Sequence, residues 1–122
     1  MQKIKILLAS RPKMLSDVMR NMVERQPDME VVGEVLDPIE LMLEVKAAKV
    51  DTVIVTPLES EREPRICRLL LEEHPHLIIV TLPAKGETAY LYRSGRARMR
   101  VDEPSEQSIL GAVRESLKSI TG

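Results

Sequence analysis

Arginine and tyrosine are concentrated in one short segment of this 122-residue chain. The segment contains two tyrosines followed by four arginines: Tyr90, Tyr92, Arg93, Arg96, Arg98 and Arg100. A guanidinium group binds carboxylates and phosphates, and a tyrosine ring can stack on a base. Three interpretations are open: a charged edge that prevents aggregation between strands, a contact with a protein, or a contact with nucleic acid. The segment is therefore a candidate interaction surface.

Histidine and cysteine, the usual ligands of zinc, are few. His74 and His76 flank Pro75, with Cys67 upstream. A zinc site needs ligands that converge on one point, and this arrangement is more typical of a solvated loop. Cys67 falls among the apolar positions of a predicted helix, which indicates a small buried side chain. No Gly-rich phosphate loop or Ser/His/Asp set is present, so we expect no catalytic site, metal or cofactor.

Alternating strands and helices must position these residues. Apolar runs predict four strands at residues 4–8, 29–35, 51–55 and 77–80, with helices between them and a last helix over about 104–119. The predicted apolar stripes of the first three helices include Val18, Ile39 and Leu69. Asp37 and Pro38 are expected to begin the second helix. This alternation indicates a parallel sheet with right-handed crossovers, in a single domain over residues 1–122.

Residues 83–103 break the alternation, because a hairpin signal stands where a fourth helix is expected. Alternating residues flank Ser94-Gly95, which predicts a two-residue turn with Tyr90 opposite Met99. One face of this hairpin would carry Tyr90, Tyr92, Ala97, Met99 and Val101. The other face would carry Ala89, Leu91, Arg93, Arg96, Arg98 and Arg100.

A hairpin over about residues 88–101 would replace the missing helix. Its first strand would run antiparallel down the outer edge of the sheet, and the chain would return as strand five. The alternative is a short irregular helix over about residues 87–93, followed by strand five alone.

Ligands of an open α/β sheet bind at the carboxyl ends of its strands. Five residues occupy these strand ends: Ala9, Ser10, Thr56, Thr81 and Val101. All are small, and none is ionisable at neutral pH. The simplest interpretation is a filled pocket that is closed by small polar residues.

Five stretches of sequence resemble a known family. They are residues 4–12, 27–35, 50–56, 74–81 and 102–106, and the strongest is Pro-Asp-Met-Glu-Val-Val-Gly-Glu-Val at 27–35. Together they make the chain similar to the receiver domain of bacterial two-component response regulators. The resemblance implies a flavodoxin-like three-layer α/β sandwich with parallel strand order 2-1-3-4-5.

The resemblance also implies where a phosphorylation pocket should lie. Active receivers carry two acidic residues after strand one, where this chain has Ala9 and Ser10. They carry a phosphoacceptor Asp after strand three and a Lys at the end of strand five, where this chain has Thr56 and Val101. Thr81, after strand four, matches the Ser or Thr that senses the phosphoryl group in the family. Because Mg²⁺ binds carboxylate oxygens, we expect neither Mg²⁺ nor phosphoryl transfer at this pocket.

Composition excludes several classes of protein. Apolar residues make up 43% and charged residues 30% of the chain, which argues against disorder, and a net charge of -1 produces no general attraction to nucleic acid. With one cysteine, no apolar run long enough to span a bilayer and no signal-peptide pattern, we expect a cytoplasmic protein without membrane contact.

The leading hypothesis is a non-phosphorylatable, receiver-like module for protein–protein interaction in signal transduction or transcriptional regulation. Its partner would be a protein, and a second copy of the chain is one form of it. Two alternatives stay open: a small-ligand sensor that uses the degenerate pocket, and a nucleic-acid contact through the Arg-rich hairpin at 93–100. The nucleic-acid contact is the weakest of the three.

Overall fold

The computed structural model describes residues 3–9, 13–35, 37–56, 65–82, 88–95, 98–102 and 105–121. In chain order its elements are β1 (Ile4–Ala9), α1 (Lys13–Glu24), β2 (Met29–Glu34), α2 (Pro38–Ala47), β3 (Thr52–Val55), α3 (Arg65–Glu73), β4 (Ile78–Thr81), β5 (Thr88–Arg93), β6 (Met99–Asp102) and α4 (Glu106–Thr121). Each strand and helix predicted from apolar periodicity is confirmed, with bounds shifted by a few residues.

The start of α2 shows how local sequence sets an element. Asp37 is extended, and its Oδ1 accepts a hydrogen bond of 2.7 Å from the backbone N–H of Ile39. Pro38 takes the first helical position, where its missing N–H costs no hydrogen bond. After the helix, Lys49 adopts a positive φ of 52°, a conformation that cannot continue a right-handed helix. The predicted start at Asp37 and Pro38 is confirmed.

The six strands form one mixed sheet in the order β2-β1-β3-β4-β5-β6. The first four strands in this order are parallel, while β5 is antiparallel to both β4 and β6. The flavodoxin-like α/β fold class is thereby confirmed, as is an antiparallel strand where the fourth helix was expected. One detail differs from the prediction: the descending strand, β5, lies inside the sheet, and the last strand, β6, forms its edge.

Two apolar layers cover the sheet. Ile54, Ile78 and Val80 pack on one face with the buried side chains of α1 and α4. Val53 and Ile79 point to the other face, against α2 and α3. Every residue of β3 and β4 is buried, as expected for parallel strands between two helical layers. Among the described residues, no helix is long and apolar enough to cross a membrane.

Three apolar helix positions predicted for the core are exposed instead: Val18 by 58%, Ile39 by 72% and Leu69 by 43%. On each helix an apolar residue one or two positions later is buried instead: Met19, Leu41 and Leu70. A helix rotates by about 100° per residue, so apolar residues one or two positions apart cannot all face the core. Single apolar side chains on a protein surface are common and need no partner.

The hairpin register differs from the prediction by one residue. Leu91 lies opposite Met99 and Tyr90 lies opposite Arg100, so the predicted pair of Tyr90 with Met99 is wrong. The physical reason is burial: Ala89 and Leu91 are buried on the α1–α4 face. Pairing them with Val101 and Met99 keeps apolar side chains of both strands on one face. Arg96 and Ala97 lie outside the described residues.

An ion pair fastens α4 to the start of β2. The Arg114 guanidinium donates from Nε to Asp28 Oδ2 at 2.8 Å and from Nη2 to Asp28 Oδ1 at 2.7 Å. It also donates to Gln26 Oε1 at 2.6 Å. The hydrogen bonds from Arg114 lower the pKa of Asp28, and Asp28 in turn raises the pKa of Arg114. This bidentate contact joins residues 86 positions apart in the chain.

Candidate functional site

The carboxyl ends of β1, β3 and β4 bring three of the predicted pocket residues together. Ala9 pairs with Val55, and Val55 pairs with Thr81 on the other side. The backbone N–H of Thr56 donates to the carbonyl oxygen of Ala9 at 3.3 Å. Ala9, Thr56 and Thr81 therefore lie at the ends of three adjacent strands. Ser10 lies outside the described residues.

The chemistry available from these three residues is limited to two hydroxyl groups. Thr81 is buried, and its Oγ1 donates to the carbonyl oxygen of Tyr90 at 3.5 Å. Thr56 Oγ1 is also buried, and within the described parts of the chain it has no hydrogen-bond partner. A hydroxyl group without a neighbouring base is a poor nucleophile, and two neutral hydroxyls do not neutralise a phosphoryl group.

Metal ligands do not gather at this edge or elsewhere in the described ranges. There, no group of three or more His, Cys, Asp or Glu side chains is placed to hold a metal ion. His74 and His76 meet ring edge to ring face at a centroid distance of 6.2 Å, which is a packing contact. Cys67 is buried among the apolar side chains of the α2–α3 layer, as predicted.

Val101 is not brought to the pocket. It lies on β6, opposite Ala89 of β5, so one whole strand separates it from β4. Neighbouring strands are about 4.8 Å apart, which puts Val101 roughly 10 Å from the line of β4. The position beside Thr81 is taken by Tyr90, through strand pairing and through its carbonyl oxygen. The sequence analysis missed Tyr90 as a pocket neighbour, because it expected the last strand, which is β6 in the structure, to lie next to β4.

The two tyrosines pack toward the α2–α3 side of the sheet. Tyr92 is only 5% exposed, and Tyr90 is half-buried against the same apolar cluster. The guanidinium carbon of Arg98 lies 4.4 Å from the centroid of the Tyr90 ring, a cation–π contact that covers the ring. Neither ring is therefore open to stack on a base, which removes the main support for the nucleic-acid alternative.

The arginines do not share one face, contrary to the predicted hairpin. Strand alternation puts Arg93 on the face of Leu91, whereas Arg98 and Arg100 lie on the Tyr90 face. Arg93 Nε is buried without a hydrogen-bond partner among the described residues. Arg100 Nε donates to Asp102 Oδ1 at 2.7 Å, and both side chains are 66% exposed. The one-residue register difference accounts for this redistribution.

The edge strand β6 is the most exposed strand of the sheet. Met99, Arg100 and Asp102 are exposed and Val101 is half-buried. The last helix, α4, packs mainly against β4 and β5, so it leaves β6 largely uncovered. The sequence carried a signal for this edge, since a charged residue stands at alternate positions of the strand.

Comparison with known proteins identifies the fold and not the family. No protein-family model and no curated protein matches the chain. Among solved structures, it is similar to the response regulator domain of Thermotoga maritima CheB, with a TM-score of 0.66 and 15% sequence identity. The match covers 96% of this chain and 98% of that one. At this identity the similarity establishes a receiver-like fold.

Proposed function

We propose that this chain is a receiver-like regulatory module that works without phosphoryl transfer, by binding a protein partner through its β5–β6 hairpin. One observation carries the proposal: β5 is inserted between β4 and the last strand. The insertion has two consequences, one at the pocket and one at the edge of the sheet.

At the pocket, the insertion adds to the loss of acidic residues that is already visible in the sequence. Ala9, Ser10 and Thr56 provide no carboxylate for Mg²⁺ and no acidic phosphoacceptor. Because Tyr90 occupies the place beside Thr81, the last strand cannot bring a cation to that position either. These residues therefore offer a phosphoryl group neither a bound metal ion nor a nucleophilic carboxylate.

At the edge, the insertion produces a new surface. The last strand, which an added β5 displaces outward, presents a free backbone edge and exposed side chains. Extended peptides and neighbouring strands bind such edges through backbone hydrogen bonds, with selectivity from alternate side chains. The part of the fold that departs from the receiver pattern is therefore also the part best suited to a partner.

The test is an NMR titration with Mg²⁺ and beryllofluoride, followed by acetyl phosphate as a phosphodonor. We expect no saturable shifts at the backbone amides of Ala9, Thr56 and Thr81. A Thr56→Val variant is the matched control, because it keeps the side-chain shape and removes the hydroxyl group. Saturable shifts in the wild type that are lost in Thr56→Val would overturn the proposal.

A second candidate function is recognition of a small ligand at the same strand ends. The buried Thr56 hydroxyl favours it, because a buried hydroxyl without a partner costs about 1–3 kcal/mol and a ligand could satisfy it. In a thermal-shift screen, a ligand of this kind should stabilise the wild type and fail to stabilise Thr56→Val. If no compound raises the melting temperature of the wild type, this candidate is rejected.

A further inference from the structure

We infer that the partner at the β6 edge is a second copy of this chain, joined by antiparallel pairing of β6 with β6 across a twofold axis. This inference rests on the proposed function and specifies its partner. The paired edges would join two six-stranded sheets into one continuous sheet.

Symmetry limits the possible registers. In an antiparallel pair related by a twofold axis, one residue lies opposite its own copy, and its neighbours pair on either side. The axis can therefore pass beside Val101 or beside Arg100. Residues directly opposite each other share a face of the sheet, so each choice determines which side chains meet.

Charge selects between these two registers. With the axis beside Val101, each Arg100 lies opposite Asp102 of the other copy, and the two valines meet at the centre. With the axis beside Arg100, the two Arg100 guanidinium groups lie opposite each other, which is repulsive. The Arg100 register would also put Asp102 opposite Arg98 of the other copy, but Arg98 is already stacked over Tyr90. The Val101 register is therefore favoured, because it pairs both charged residues of β6, Arg100 and Asp102, with their opposites.

The required groups are available in the monomer. Arg100 and Asp102 already bind each other within one strand at 2.7 Å, and both side chains are 66% exposed. Exchanging the two internal pairs of two monomers for two equivalent pairs across the edge costs little, because exposed ion pairs contribute little by themselves. Backbone hydrogen bonds of the open edge and apolar contact at Val101 then favour the dimer.

The opposite edge of the sheet is less suitable. β2 is less open than β6: its first residue is buried, its next four are half-buried, and its last residue, Glu34, is exposed. Glu34 at its end is held by Arg20, whose Nη2 lies 3.0 Å from Glu34 Oε1. Pairing of β6 with β2 of another copy would also leave one free edge at each end and would build open chains. Pairing of β6 with itself closes after two copies.

Charge exchange between two variants tests the inference. Arg100→Asp puts two acidic residues on the strand, and Asp102→Arg puts two basic residues on it. Each variant alone should weaken the dimer at least about tenfold by analytical ultracentrifugation, because like charges then meet across the axis. Mixed in equal amounts, the two variants should form a heterodimer with an affinity within about threefold of the wild-type dimer, since each acid again meets a base.

The mixture separates pairing between chains from pairing within one chain. The internal contact between Arg100 and Asp102 is lost in both variants and is not restored by mixing. Glu30→Arg, on the other edge strand β2, is the matched control and should leave the dimer unchanged. Native mass spectrometry of the mixture, with one variant isotopically labelled, identifies the heterodimer directly.

Three results would overturn the inference: a wild-type chain that stays monomeric at millimolar concentration, variants that do not recombine on mixing, or loss of the dimer in Glu30→Arg, which would place the contact at β2. None of these results would affect the proposal of a phosphorylation-independent module, because the beryllofluoride titration tests that proposal whether or not the chain dimerises.

Discussion

Every residue of β3 and β4 is buried, whereas three of the four residues of β6 are exposed and the fourth is half-buried. The two regions belong to one sheet, but helices cover the first on both faces and leave the second largely open. Substitutions in a covered strand disturb packing on both sides, and those in an open edge disturb little. The parallel core therefore preserves the fold, and the edge strand β6 is free to change its binding properties.

The largest expected effect is the difference in stability loss when one apolar side chain is truncated in each region. Ile54→Ala in β3 should lower the free energy of unfolding by about 2–5 kcal/mol, because it leaves a cavity in a fully buried site. Met99→Ala in β6 should lower it by less than about 0.5 kcal/mol, because Met99 is exposed. Urea denaturation followed by circular dichroism measures both values. Equal losses would contradict the division into a rigid core and a tolerant edge strand.

The next effect concerns the contact that fastens α4 over the core. Arg114→Ala removes three hydrogen bonds to Asp28 and Gln26 and should lower the free energy of unfolding by about 1–2 kcal/mol. Arg100→Ala is the matched control in the hairpin and should cost less than about 0.5 kcal/mol, since its ion pair with Asp102 is exposed. A larger loss for Arg100→Ala would show that the edge strand β6 contributes to the stability of the monomer.

A smaller effect is expected at the hairpin turn. Gly95 has a φ of +72°, and no atom outside its neighbours would meet an added Cβ within 4 Å. Gly95→Ala should therefore destabilise by about 1 kcal/mol through backbone strain alone. Lys49→Gly, at the other described position with positive φ, should not destabilise, because glycine removes strain there. Unfolding by urea compares the two variants, and an unaffected Gly95→Ala would mean that the turn relaxes freely.

The smallest effect is a dependence of stability on pH. The pKa of Asp28 is lowered in the folded chain by hydrogen bonds from Arg114, so folding favours the charged carboxylate. The resulting stabilisation is complete above the ordinary carboxyl pKa of about 3.9 and is lost as the pH falls through the lowered pKa. Because Asp28 is about one-third exposed, solvent screening keeps the effect small.

Asp28→Asn is the variant that isolates this contribution. Wild-type stability, measured by urea denaturation at a series of pH values from 7 to 2, should fall more steeply than that of Asp28→Asn in the acid range. Parallel curves for the two proteins would show that Arg114 does not stabilise the carboxylate.

Much of the fold was predictable because local signals and burial agree. The apolar runs of β3 and β4 indicated strands covered on both faces, and the structure buries every one of their residues. Asp37 and Pro38 indicated a helix start, which the hydrogen bond to Ile39 N–H confirms. Helix faces were less predictable, since Val18 and Ile39 continue an apolar pattern but point outward.

The hairpin was predictable in kind and not in detail. Ser94-Gly95 correctly indicated a reversal of the chain, but alternation alone favoured a register that separated arginine from tyrosine. The actual register is determined by the burial of Ala89 and Leu91 on one face and allows Arg98 to cover Tyr90 on the other. Those contacts join residues on different strands and are absent from any local pattern.

The amino-acid sequence by itself determined that these strand ends lack carboxylates, because the identities of Ala9, Ser10 and Thr56 do not depend on conformation. It also determined the alternation of strands and helices, because apolar periodicity is a local property of the chain. Only the tertiary structure decided that β5 enters the sheet beside β4 and moves Val101 away from the pocket. The order of strands depends on which edges and faces can be buried together, and this is a property of the whole molecule.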